Sequence, residues 1–191
     1  MLYRIIYTCF QSWKHRKSLA DYARNNDLQV ASIVDIPPQK LLEKGTKALI
    51  IDFDGVLASH DKIEPIEEAK QWLRECCKVF GSNKIFILSN KPTLARKHYF
   101  AKYFLGLNFV IAEHKKPFPY SILKIIQTTK LSSEEILLID DRLLTGILAA
   151  VISKILGILI TNPFVDYQHC PKREKVYAFV RQLERKIFKR Y

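Results

Sequence analysis

The chain has 191 residues, enough for one domain with a full core and some length left for extensions. Its 48% apolar and 26% charged content describes a soluble globular protein. The longest apolar tract, Leu143 to Thr161, is broken by Lys154 and Gly157, so it reads as a helix followed by a strand and not as a membrane span. The net charge of +12 sits at the two ends. Five basic residues face one acid over residues 1–24, and eight face two over residues 172–191, leaving +2 for everything between. Both ends are therefore expected to face something anionic. The four cysteines show no Cys-x-x-Cys spacing, which predicts reduced thiols in a cytosolic-type compartment.

Leu2, Ile5, Ile6, Cys9, Phe10 and Trp13 fall at helical spacing and run into the basic stretch Lys14 to Lys17. Two readings compete: a helix packed on the domain, and an interfacial helix whose apolar face enters lipid headgroups. An organelle-targeting presequence is a third, although the segment is poor in Ser and Arg, and no typical signal peptide is visible. A turn at Asp35 to Pro38 and a short helix from Gln39 to Lys44 precede a buried strand, Ala48 to Phe53. The pattern then predicts a helix from Pro65 to Val79, a strand over Lys84 to Leu88, and a helix from Thr93 to Phe104. A strand over Asn108 to Ala112 and a helix from Pro119 to Thr129 follow. Next come a strand over Ile136 to Ile139, a helix over Leu143 to Lys154, and a strand over Gly157 to Thr161. Near the carboxyl end, Val176, Phe179, Val180, Leu183 and Ile187 form one helical stripe, of the kind that ordinarily packs on a core, with Arg181, Arg185, Lys186 and Lys189 elsewhere around the helix. This alternation predicts an α/β fold, a five-stranded parallel sheet with helices on both faces. We divide the chain into a basic amphipathic extension, residues 1–34, and a single domain, residues 35–191.

Polar residues cluster just beyond four successive strands: Asp52 and Asp54, Ser89 and Asn90, Lys116, and Asp140 and Asp141. Alone, an Asp-x-Asp is a solvated turn, Ser89 a strand-end cap, and Lys116 a surface charge. In a parallel sheet those strand ends share one edge, where ligands bind. Together they offer a carboxylate nucleophile, a second carboxyl for proton transfer, a hydroxyl, a cation, and carboxylate for a hard cation. That set suits phosphoryl transfer with Mg²⁺; no His/Cys cluster exists for zinc.

In order, Asp52-Phe-Asp54-Gly-Val, Ser89-Asn90, Lys116-Pro117 and Asp140-Asp141 resemble the four motifs of the haloacid dehalogenase superfamily, over roughly residues 48 to 146. Within it the chain is most similar to the YqeG-like branch, which includes mitochondrial phosphatidylglycerophosphatase. The supporting features are Ser32-Ile-Val-Asp35-Ile-Pro, Lys115-Lys116-Pro117-Phe-Pro119 and Asp141-Arg-Leu-Leu-Thr145. The resemblance implies a Rossmann-like fold in which Asp52 attacks phosphorus and Asp54 serves as general acid and then base. Ser89, Asn90 and Lys116 would bind the phosphate, Lys116 also neutralising it. Mg²⁺ would be held by Asp52, the Asp54 backbone carbonyl and Asp141. Two departures stand out. Gly55-Val56 replaces the branch's Asn-Thr, and Gly146 stands where the fourth motif carries a further acid, while Asp140 stands where glycine is common.

Only 36 residues separate Asp52 from Ser89, too few for a large cap domain, so an open site is expected. An open site with basic amphipathic ends suits an anionic lipid phosphate, with peripheral membrane contact and a mitochondrial location if the source is eukaryotic. Two other readings stay open: a capless phosphatase for nucleic-acid ends or phosphoproteins, and a non-catalytic domain that binds anionic membrane or RNA.

Overall fold

A computed structural model of the chain describes residues 2–112 and 114–191. In chain order its elements are α1 (Leu2–Lys14), α2 (Arg16–Arg24), β1 (Gln29–Val30), α3 (Pro38–Glu43), β2 (Ala48–Ile51), α4 (Glu67–Phe80), β3 (Ile85–Leu88), α5 (Leu94–Tyr103), β4 (Asn108–Val110), α6 (Tyr120–Thr129), β5 (Ile136–Asp140), α7 (Leu148–Ile152), β6 (Leu156–Ile160) and α8 (Pro171–Phe188). The strands form one parallel sheet in the order β1-β6-β5-β2-β3-β4.

β2, β3 and β5 are buried at every position, which is why β2 and β3 are apolar throughout and β5 is apolar as far as its last residue, Asp140, instead of alternating. Leu49, Ile51, Ile85, Ile87, Leu137 and Ile139 join one core, under Trp72 and Leu73 of α4 and Phe100 of α5. Ala48, Ile50, Phe86, Leu88, Ile136 and Leu138 join a second on the opposite face, under Leu19 and Tyr22 of α2 and Ile122 of α6. The helices thus cover both faces, as the βα alternation predicts.

The sheet has six strands, not the expected five. The additional one, β1, is two residues long and too short to display a strand period in sequence. It lies at the edge beside β6, pairing Gln29 with Leu159 and Val30 with Ile160. Ahead of it, the Tyr22 hydroxyl accepts the Gly157 N–H at 2.8 Å. Residues 1–34 are therefore not uniform. Leu19, Ala20, Tyr22, Ala23 and Ile33 are buried in the cores, whereas α1 buries no residue and touches the domain by stacking Tyr3 and Tyr7 on Phe118.

Two helices differ from the sequence pattern. The helix expected from Leu143 begins as a single π turn, Leu143–Ile147, before α7. More consequentially, α8 is turned inside out. Its apolar residues Val176, Phe179, Leu183 and Ile187 are 60%, 64%, 44% and 41% exposed, while Glu174, Arg181 and Glu184 are buried beside Phe188. The reason lies beneath the helix, where Asp141, Arg142 and the free amides of the π turn demand charged partners that an apolar stripe cannot supply. Among the described residues, no helix is long and apolar enough to cross a membrane, and the Leu143 to Thr161 tract is indeed helix and strand.

Candidate active site

From β2 the chain builds β3 and β4 on one side and then returns to lay β5 and β6 on the other. The crevice at this switch point, at the carboxyl ends of β2 and β5, is where side chains from the two halves of the sheet meet. The Asp52 N–H donates to the Ile139 carbonyl at 3.0 Å, fixing Asp52 beside the end of β5.

Lys116 joins the two halves. Its ammonium lies 3.1 Å from Asp52 Oδ1 and 2.5 Å from Asp140 Oδ2, and all three side chains are almost wholly buried. Burial alone would lower the Lys116 pKa, but the Asp140 and Asp52 carboxylates reverse that and hold it above the ordinary lysine value. Asn90 orients this lysine: its Oδ1 accepts the Lys116 N–H at 2.6 Å and its Nδ2 donates to the Lys116 carbonyl at 3.2 Å. The Asn90 side chain is thereby engaged with the backbone of Lys116. The Ser89 hydroxyl donates to Asp54 Oδ2 at 3.1 Å and accepts the Lys91 N–H at 3.0 Å.

Asp54 is clamped by Arg96, which sequence reasoning missed. The guanidinium donates to Asp54 Oδ1 at 2.7 Å and Oδ2 at 2.9 Å, and further to the Lys62 and Lys91 carbonyls. It is 1% exposed and lies 3.9 Å from the centre of the Phe53 ring. A signal was present: Arg96 stands in the first turn of α5, where the helix dipole disfavours a cation unless an anion is near.

Arg181 is the second missed residue. The sequence pattern set it off the apolar stripe expected to pack inward, yet it is buried and donates to Asp141 Oδ2 at 2.8 Å. Glu184, one turn on, accepts from the Arg142 guanidinium and from the Leu143 and Leu144 amides, at 3.0 and 3.4 Å for the amides. It caps the start of the π turn from outside the segment. Glu174 accepts the His60 N–H at 3.2 Å, and the His60 ring stacks on Tyr177. These charges form a stripe of their own along α8, invisible to a search for apolar periodicity. Glu184→Gln is expected to cost about 1–3 kcal/mol, because the Arg142 charge would lose its counterion in a buried place. A lowered denaturant midpoint at constant m would show it.

The two glycine departures have a geometric cause. A Cβ at Gly146 would fall 1.9 Å from Asp140 Oδ2 and 2.0 Å from its Cγ. Asp140 thus fills the space a side chain at 146 would need, and its Oδ1 accepts the Arg142 N–H at 2.9 Å. Gly55, with φ +86°, stands likewise against Asp141: a Cβ there would fall 2.5 Å from Asp141 Oδ2. Each acid of the Asp140-Asp141 pair is accommodated by one glycine.

Asp52, Asp54, Asp140 and Asp141 outnumber the cations paired with them, Lys116, Arg96 and Arg181, by one. Burial, opposed by Lys116, pushes the Asp52 carboxyl well above its ordinary range. Burial, aided by the neighbouring Asp140 carboxylate, pushes Asp141 up to about 6. Carboxylate oxygens of Asp52, Asp140 and Asp141 lie within 4.8 Å of one another, and Asp52 Oδ1 is buried without a well-aligned hydrogen bond. More carboxylates than paired cations, an Asp52 oxygen met obliquely by the Lys116 ammonium, and hard oxygen donors fit a divalent cation such as Mg²⁺.

Three comparisons extend this geometry. Over 119 residues the chain is 29% identical to the probable phosphatase YqeG of Bacillus subtilis (strain 168), covering 62% of this chain and 66% of that relative. A crystal structure of an uncharacterized protein from Listeria monocytogenes serotype 4b superposes with a TM-score of 0.50 at 14% identity, covering 65% of this chain and 85% of that one, a likeness of fold. The model of one family, mitochondrial PGP phosphatase, matches residues 24–165, a span that takes in both halves of the crevice and every residue of the four motifs. On that match the chain belongs to the mitochondrial PGP phosphatase family.

Proposed function

We propose that the chain hydrolyses a phosphomonoester through a covalent phosphate on Asp52, with Mg²⁺, and that its substrate is phosphatidylglycerophosphate or a similar lipid phosphate presented at a membrane surface. The observation that carries this reading is the buried Asp52 carboxylate, held between Lys116 on one side and the Asp140-Asp141 pair on the other. In the first half of the reaction an Asp52 oxygen bonds phosphorus as the bond to the leaving oxygen breaks, and Asp54, which takes up a proton from solvent as substrate binds, passes it to that oxygen. In the second half Asp54 takes a proton from water, whose oxygen attacks phosphorus and frees Asp52. Lys116 balances charge on the transferring group, and Ser89 and Arg96 keep Asp54 in place. Mg²⁺, held by the carboxylates of Asp52 and Asp141 with the Asp54 carbonyl, would supply further charge neutralisation at the phosphoryl oxygens. Asp140 acts as the partner of Lys116, filling the part of the acid absent at 146.

The lipid substrate is supported by the family's description and by the ends of the chain. Only a loop and α4 separate β2 from β3, so no cap domain stands between the crevice and a surface. α1 carries Leu2, Ile5, Ile6, Phe10 and Trp13 exposed beside basic residues, and its stacking on Phe118 sets it two residues from Lys116. The protein would then be peripheral on a membrane, mitochondrial where such a compartment exists.

The test is phosphate release with Mg²⁺ from phosphatidylglycerophosphate in vesicles and from a soluble aryl phosphate, with Asp52→Asn alongside. Lipid turnover that vanishes in Asp52→Asn is the expected result. Aryl phosphate turnover alone would remove the lipid, and turnover surviving in Asp52→Asn would remove the mechanism.

A further inference from the structure

We propose that α8 is a second bilayer-docking surface, one that seats the active-site crevice on an anionic membrane; this rests on the lipid reading above and adds the contact through which it operates.

The inversion of α8 is the starting point. A helix that packs through Glu174, Arg181 and Glu184 and shows Val176, Phe179, Leu183 and Ile187 to solvent reverses the ordinary arrangement. At about 100° per residue these four apolar side chains share an arc of about 80°. Both acids of the helix are buried, so its outward face holds no negative charge. Lys172, Lys175, Lys186 and Arg190 are exposed within or beside the apolar arc. Apolar side chains flanked by cations only are what a surface of anionic headgroups over an acyl layer complements.

Other occupants fit less well. A second copy of the helix would set lysines against lysines across a two-fold axis. RNA would satisfy the lysines, but of the four apolar side chains three are aliphatic and Phe179 alone offers a ring for a base to stack on. Placement agrees with the bilayer. α1 and α8 both pack against α2 and against the π turn that follows Asp140-Asp141, so the two apolar, acid-free faces flank one part of the molecule. The inward face of α8 meanwhile holds Arg181 on Asp141 and Glu174 on His60. Contact on one side of the helix thus fixes the height of the crevice above the headgroups through a few side chains on the other.

The experiment uses the full chain carrying Asp52→Asn, so that binding is read without turnover. It measures co-sedimentation with vesicles of phosphatidylcholine alone or mixed with phosphatidylglycerol, neither of which contains a phosphomonoester. We expect binding to the mixed vesicles, weakened at least about tenfold by Phe179→Ser/Leu183→Ser. In the Asp52 background the same pair of substitutions should leave aryl phosphate turnover and the melting temperature unchanged, since both side chains point outward. Vesicle binding unaffected by the pair overturns the proposal. So does a wild-type dimer that the pair converts to monomer while vesicle binding persists, or RNA binding that the pair abolishes while vesicle binding persists. If the vesicles bind through α8 but phosphatidylglycerophosphate is not hydrolysed, the substrate reading falls and the docking surface stands.

Discussion

Gly146→Asp is expected to remove more than about 4 kcal/mol of stability and all turnover, and Asp140→Gly/Gly146→Asp to restore most of both. The first substitution forces a Cβ to within 2.4 Å of three atoms of the Asp140 side chain. Asp140 cannot yield, being held by Lys116 on Oδ2 and by the Arg142 amide on Oδ1. The new carboxylate would also enter a buried cluster that already has one negative charge too many. Asp140→Gly alone errs in the other direction, leaving Lys116 with Asp52 as its single counterion. Exchanging both puts one carboxylate and one glycine back into the same volume from the opposite wall. The coupling energy between the two positions should reach or exceed about 3 kcal/mol, the upper end for residues in contact. Denaturant melts of the four proteins measure it, and a Mg²⁺-induced rise in melting temperature, present in the wild type and regained in the double variant, reports on the site separately from activity. A double variant no more stable than Gly146→Asp would show that the two positions are not exchanged.

Arg96→Ala should cost about 3 kcal/mol, since it strips a partly buried carboxylate of its bidentate partner and leaves the Lys62 and Lys91 carbonyls without their donor. Turnover of a soluble aryl phosphate should fall as well, because Asp54 would keep only the Ser89 hydroxyl to fix its position. Arg96→Lys separates these two effects. It retains the charge but not the planar fork, so stability should return in large part while turnover remains low. Equal recovery of both in Arg96→Lys would mean that charge alone, not the forked geometry, is what Asp54 needs.

The legible part of the fold was the part built on apolar runs. β2, β3 and β5 are buried on both faces, and their apolar runs announce it; the acids at the ends of β2 and β5 follow from the alternation of strand and helix. β1 was hidden because two residues carry no period. α8 misled for a deeper reason: apolar periodicity locates an exposed stripe as readily as a buried one, and only the charges of Asp141 and Arg142 decide which side turns inward. Arg96 and Arg181 lay in plain view as cations, but their partners are 42 and 40 residues distant in sequence, and nothing local names them. Gly146 was readable as a departure, whereas its compensation by Asp140 required knowing that the π turn brings residue 146 back against the end of β5.

The pairing of β1 with β6 also sets an order of assembly. Thr161 donates to the Val30 carbonyl, and Gly157 to the Tyr22 hydroxyl, across 131 and 135 residues of chain. Contacts so distant in sequence are among the slowest to form, because the loop between them must be closed first. As synthesis proceeds from the amino end, β1 is made well before its partner β6. Until the π turn, β6 and α8 are made, Leu19, Tyr22 and Ala23 lack the walls they bury against, and residues 2–30, basic and apolar on one side, remain available to whatever anionic surface the growing chain encounters.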